Sequence, residues 1–124
     1  MIRHRAIRSA RVLFHITTDG SWTTAARDGT YRAPSLETEG FVHLSTHEQW
    51  PRTAARFFRG RRGLVLLVID PARLVHEVRY EAADGESFPH LYGPLPVEAV
   101  VAVDALVPDP EGLLRRAPRA TRGR

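Results

Sequence analysis

The stretch GLVLLVID, Gly63–Asp70, decides the fold. Leu64 to Ile69 are all aliphatic and run without the polar alternation of a strand that faces water on one side. Such a run, closed by Gly63 and by Asp70–Pro71, is a strand covered on both faces, so it belongs in the middle of a sheet with a layer on each side.

The elements around it are shorter. RVLFHIT, Arg11–Thr17, is apolar and β-branched and reads as a strand ended by TDGS. SWTTAARDG fits a short helix: Ser21 caps it, Trp22, Ala25 and Ala26 share a face, and Gly29 stops it. TYRAPSLETEG, with Pro34 and Gly40, reads as a loop leading into a strand, Phe41 to Ser45. THEQWPRTAARFFRG reads as a helix with a Thr46–Gln49 capping box, although Pro51 is an alternative start because a proline past the first turn removes a backbone bond. Trp50, Ala54, Ala55 and Phe58 face inward at helical spacing, and Arg52, Arg56 and Arg59 form the opposite stripe, expected to be a solvated face.

After the central strand, VHEVRYEA alternates as a half-exposed strand and ADGE makes a turn. SFPHLYGPLP carries too many prolines and glycines to be regular, and Val97–Val107 supplies the last strand. About five strands with two short helices grouped in the first half give an α+β fold with a small, mainly antiparallel sheet, rather than a doubly wound α/β pattern.

The chain of 124 residues is one domain's worth. All 18 basic residues are arginine, and cysteine is absent, which excludes disulfides, thiolate nucleophiles, cysteine-ligated zinc and lysine Schiff-base chemistry. The net charge of +4 hides an uneven distribution: residues 12–111 hold nine arginines against 14 acids, a net of −5, between two acid-poor basic ends. Three segments follow: a basic extension over 1–11, a single α+β domain over 12–107, and a basic tail over 108–124 expected to be flexible. An acidic body is not a phosphate-tracking groove, so no specific nucleic-acid partner is expected. With no apolar run near the ~20 residues of a membrane helix and no signal-like start, no membrane partner is expected and a cytoplasmic location is.

Three polar groups interrupt apolar surroundings. In FHITT, His15 and Thr17 share a strand face; in VHLST, His43 and Ser45 repeat the arrangement. The segment ESFPHLYGPL adds Glu86, His90 and Tyr92. One strand histidine is usually a hydrogen-bonded structural residue, but two, each followed at i+2 by a hydroxyl, point to a shared site. A metal is not expected: His43 and His47 are four apart, yet His43 lies in a strand, and no His-Glu-x-x-His is present. Ser35 and Ser45 lack a nucleophile-elbow motif, and no phosphate loop or Gly-x-Gly-x-x-Gly occurs.

Taken together and in order, FHITT, YRAPSLETEGFVHLST, ARFFRG, LVLLVIDPARL and FPHLYGPLP resemble the small bacterial family catalogued as domain of unknown function 952, from about Val12 to Val107. That resemblance implies a fold similar to the ADP-ribosyltransferases and tRNA 2'-phosphotransferases: a small split sheet that clasps NAD, or another nucleotide, in a cleft. It implies that His15 and Thr17 hold the nicotinamide side of NAD, with Ile16 standing where those relatives often carry glycine. It implies a carboxylate near the ribose, for which Glu86 ranks ahead of Glu81. His15, Glu86 and His90 are then the catalytic candidates, and Thr17, Tyr31, Arg32, Ser35, His43, Ser45 and Tyr92 join His15 in binding, with Tyr31 or Tyr92 stacking on a ring. NAD is the expected cofactor, and transfer or hydrolysis at the ribose the expected reaction. Two alternatives stand beside it: a non-catalytic module binding a small molecule or peptide, and RNA 2'-phosphate removal, for which Arg32 is the one arginine near the site residues in sequence.

Overall fold

A computed structural model describes residues 11–118. Its elements are β1 (Leu13–Thr18), α1 (Asp19–Asp28), β2 (Thr30–Tyr31), α2 (Pro34–Thr38), β3 (Val42–His43), α3 (Trp50–Phe57) and β4 (Leu64–Ile69). These are followed by β5 (Val78–Ala83), β6 (Glu86–Leu91), β7 (Leu95–Pro96), β8 (Val100–Pro108) and β9 (Leu114–Pro118). Single 3-10 turns at Pro71–Arg73 and Val97–Ala99 precede β5 and β8. The α+β class and the mainly antiparallel pairing are as expected, with three α-helices rather than two.

β4 lies inside a four-stranded sheet of order β1-β4-β8-β9, and all six of its residues are buried. Its pleat divides them between two cores. Val65, Leu67 and Ile69 meet Leu13, Tyr31, Leu91 and Leu95 on one side, and Leu64, Leu66 and Val68 meet Phe14, Ile16, Trp50 and Ala54 beneath α3 on the other. A fully buried aliphatic side chain contributes roughly 1.5–3 kcal/mol, so this strand anchors both layers.

A second sheet of order β3-β6-β5 stands beside the first. Phe14 and Ser45 form an isolated antiparallel bridge between β1 and the residues just after β3, with reciprocal N–H to O distances of 2.8 Å. Past that bridge the sheets part. Pro89 helps keep β3 short: Leu44 donates to its carbonyl at 3.0 Å, but the proline has no N–H to return.

Several local expectations change. α1 begins earlier than Ser21 because Thr18, extended at the end of β1, takes the Ser21 N–H on its hydroxyl at 3.0 Å. Gly29, at φ 89°, closes the helix as expected. The expected loop after Gly29 contains β2 and α2. Half of the capping box exists: Gln49 Oε1 accepts from Thr46 N–H at 3.0 Å, but the helix itself starts at Trp50 with Pro51 in its first turn.

SFPHLYGPLP, read as irregular, is largely strand. The two-residue turn at Asp84–Gly85, both with positive φ, folds β6 back along β5, and Pro89 is accommodated at a ladder position where its missing N–H costs one bond. The expected tail at 108–124 is corrected for its first half: β9 pairs with β8, and Leu114 is buried in the α3-side core. Asp109 starts this return by accepting from the N–H groups of Glu111 and Leu113 and from Arg115 Nε. The basic extension 1–11 and the end of the tail lie outside the described residues, apart from Arg11.

The arginine stripe on and just past α3 is a solvated face, as expected, and its exposed side chains also reach neighbouring elements. Arg52 pairs with Glu86 at 3.0 Å and Arg56 with Asp84 at 3.1 Å, both on the β5–β6 hairpin, and Arg59 Nε donates to the Glu111 carbonyl at 3.2 Å.

Candidate functional site

His15 sits one residue past the bridge, where β1 and β3 separate. Its Nδ1 lies 2.6 Å from the His43 carbonyl oxygen, and its Nε2 lies 2.9 Å from the Tyr31 hydroxyl. A carbonyl can only accept, so Nδ1 carries the proton and Nε2 offers its lone pair to Tyr31. The Tyr31 hydroxyl also lies 3.0 Å from Thr17 Oγ1. Thr17 can turn its own proton toward the tyrosine oxygen, which satisfies both contacts. Burial lowers the His15 pKa to about 4 against the raising effect of the His43 carbonyl, so the ring is neutral at pH 7. Burial likewise raises the Tyr31 pKa, opposed by its bond to Thr17.

His43 and Ser45 share a face, as their spacing requires, while Val42 and Leu44 point into the core. The His43 ring is half exposed, and its Nε2 meets Glu39 Oε2 at 3.2 Å. His43 stands directly opposite His90 in the β3–β6 register, with ring centroids 5.3 Å apart. His90 is buried, stacked on Phe41 at 4.0 Å, and its Nδ1 lies 2.7 Å from Glu81 Oε1. The same carboxylate oxygen accepts from the Tyr92 hydroxyl at 2.7 Å. Bonding to His90 first, then to Tyr92, holds the Glu81 pKa below the usual carboxylate value.

These groups line one groove with two chambers. The larger, about 500 Å³, is walled by His15, Thr17, Tyr31, Ser35, His43, Phe57, Phe58 and Arg61. The smaller, about 200 Å³, takes in His15, His43, Ser45, Phe57, Phe58, Asp84, Phe88 and His90. Phe57 is 57% exposed although it is aromatic, and it faces both chambers.

Of the residues expected at the site, His15, Thr17, Tyr31, Ser35, His43, Ser45 and His90 come together. Ser35 donates from Oγ to the Phe41 carbonyl at 2.6 Å, which fixes the chain entering β3. Three stand elsewhere. Arg32 is exposed and lines an adjoining hollow of about 690 Å³ over α1, which shares Ser21 and Tyr31 with the larger chamber but none of its histidines. Glu86 is not in the wall: it lies at the far end of β6, bonded by Arg52 and Gln49, and Arg52 first, then Gln49, lowers its pKa. Tyr92 is turned onto Glu81, with the Arg79 guanidinium 4.4 Å above its ring.

Glu81, Phe57, Phe58 and Arg61 are the residues that sequence reasoning passed over or ranked low. For Glu81 a signal existed. Counting from the Asp84–Gly85 turn pairs Glu81 with Phe88 and Arg79 with His90, which sets Glu81 on a diagonal to His90. Glu86 is four residues along the strand from His90, about 13 Å. Among the described residues no group of three or more His, Cys, Asp or Glu could hold a metal ion, and no helix is long and apolar enough to cross a membrane.

Similar proteins agree with this architecture. The crystal structure of protein CC0527 from Caulobacter crescentus is similar at 35% identity over 84% of this chain and 93% of that chain, with a TM-score of 0.78. The solution structure of CC0527 is similar at 36% identity over 82% and 90% of the two chains, with a TM-score of 0.73. No curated protein matches the chain. The family model described as protein of unknown function (DUF952) matches residues 16–103, the span from the first sheet through the groove to β8, and the chain belongs to that family.

Proposed function

We propose that the groove binds a nucleotide of the NAD type, and that transfer or hydrolysis at its ribose is the reaction it serves, with NAD as a substrate consumed rather than a resident cofactor. The observation that carries this reading is the chain His15–Tyr31–Thr17, a histidine of fixed tautomer with two hydroxyls, opening on a chamber of about 500 Å³. That volume lies within the range of small-molecule sites. With the protons of this chain spent on one another, the lone pairs left on the Tyr31 and Thr17 oxygens suit the N–H of a carboxamide or the O–H of a ribose, and the exposed ring of Phe57 offers a face for a planar base. Arg61, whose guanidinium lies 5.1 Å from the Phe58 ring centroid and which has no acidic partner among the described residues, is the cation at this wall for a phosphate. The resemblance of FHITT to the first-strand motif of ADP-ribosyltransferases supports the same ligand.

A second reading, a binding module without turnover, is favoured by one observation: among the described residues no carboxylate lines the larger chamber. The same experiment separates the two. The protein is incubated with NAD, thermal shift and nicotinamide release are followed, and both are repeated with His15→Ala and Tyr31→Phe. A shift with release, lost in His15→Ala, supports the enzyme, whereas a shift without release supports the binding module. No shift with any nicotinamide or adenine nucleotide refutes the nucleotide reading.

A further inference from the structure

We infer that Glu81 and His90 form a proton-accepting dyad in the smaller chamber, with His90 as the base that activates the acceptor hydroxyl or water and Glu81 as the residue that positions it. The inference deepens the ribosyl-transfer reading above and rests on it.

The geometry points to this role in three ways. Glu81 Oε1 lies 2.7 Å from His90 Nδ1, and an ionised carboxylate only accepts, so Nδ1 carries the proton and the lone pair is left on Nε2. Nε2 has no hydrogen-bond partner among the described residues, although the residue is 94% buried by its 6% relative exposure. His90 belongs to the chamber wall, and its unpartnered Nε2 is not among the fully buried polar atoms, so this nitrogen keeps access to solvent. Stacking on Phe41 at 4.0 Å, with an interplanar angle of 14°, holds the ring in place. A base oriented by a carboxylate and opening on a cavity is the arrangement general-base catalysis needs.

His15, by contrast, spends both ring nitrogens on the His43 carbonyl and on Tyr31, so it positions and does not accept a proton. His43 keeps Nε2 on Glu39. The other charged or titratable groups around His90 are Arg79 opposite it on β5, Tyr92 just past the end of β6 and Asp84 in the chamber wall. None of these contacts Nε2.

In the step this dyad serves, the acceptor O–H gives its proton to His90 Nε2 while its oxygen forms a bond to ribose C1'. The C1'–N bond breaks, its electron pair passes to the pyridinium ring, and neutral nicotinamide leaves. The proton then passes from His90 to solvent. With water as acceptor the products are ADP-ribose, nicotinamide and one proton.

Two measurements test it. Long-range nitrogen–proton NMR of the full chain reads the His90 tautomer without any ligand: the Nδ1–H form is expected, with the Nε2–H form appearing in Glu81→Ala. Nicotinamide release is then compared with NAD binding. His90→Gln is expected to lower turnover by about 100-fold or more with the NAD thermal shift retained. Glu81→Gln, at a partly exposed position that tolerates the change, is expected to lower kcat with KM little altered, and Glu81→Asp to recover part of it. An Nε2–H tautomer in the wild type overturns the dyad. So does NAD binding without turnover, or turnover that survives both His90→Gln and Glu81→Gln. Absence of NAD binding by the wild type overturns the underlying reading, and this inference with it, at the binding step rather than the rate.

Discussion

His15 Nδ1 donates to the carbonyl oxygen of His43 across 2.6 Å, at the place where a continuing ladder from the Phe14–Ser45 bridge would set the N–H of Ile16. A side chain thus satisfies the acceptor that the parting of the sheets exposes. His15→Ala removes that donor and also the partner of the Tyr31 hydroxyl. It is expected to cost about 1–3 kcal/mol in urea unfolding at pH 7. An unchanged midpoint would contradict the capping role.

The same burial makes stability depend on pH. The folded-state pKa of His15 is lowered from 6.5 to about 4, so between those values the unfolded chain binds a proton that the folded chain refuses. The contribution is fully present above pH 6.5 and is lost as pH falls toward 4, amounting to about 3 kcal/mol. Urea midpoints of the wild type and His15→Gln, compared at pH 7 and pH 4.5, check this: the difference between them should shrink at the lower pH.

Phe57 is expected to matter for ligand and not for folding. Its ring is 57% exposed on the wall shared by both chambers. Phe57→Ser should leave the melting temperature nearly unchanged while weakening NAD binding by about ten-fold, or ~1.4 kcal/mol. Isothermal titration beside a melting curve gives both readings.

Glu86→Gln should leave ligand binding and turnover within about two-fold of the wild type, as surface changes away from a site usually do. Its contacts are with Arg52 and Gln49 on and beside α3. A large loss of turnover with binding retained would restore it as the working carboxylate in place of Glu81.

Leu114 tests the last strand. It is 7% exposed and packs with Phe14, Leu66 and Leu106. Leu114→Ala is expected to cost about 2–5 kcal/mol. Unfolding at the wild-type midpoint would return this segment to a loose tail.

Local rules read well where a single force dominates. The unbroken aliphatic run of β4 reported its burial on both faces, and the His15–Thr17 and His43–Ser45 spacings reported shared faces because strand periodicity leaves no alternative. Reading failed where tertiary context overrides composition. Pro89 and Gly93 suggested irregular chain, yet β6 lies between β3 and β5 and tolerates the proline at the cost of one ladder bond. Leu114, among arginines, gave no periodic signal of its own and becomes a strand through β8. The preference for Glu86 over Glu81 followed proximity in sequence, whereas the hairpin register makes the more distant residue the nearer one in space.

Among the described residues the Phe14–Ser45 bridge is the one isolated backbone link between the four-stranded and three-stranded sheets, and it consists of two hydrogen bonds at the floor of the groove. It is the backbone seam of a joint whose packing is shared, since Val42 and Leu91 of one sheet lie in the same buried cluster as Leu13, Val65 and Leu67 of the other. The amide protons of Phe14 and Ser45 are the gauge of that seam: a ligand that spans the two sheets is expected to slow the exchange of both with solvent.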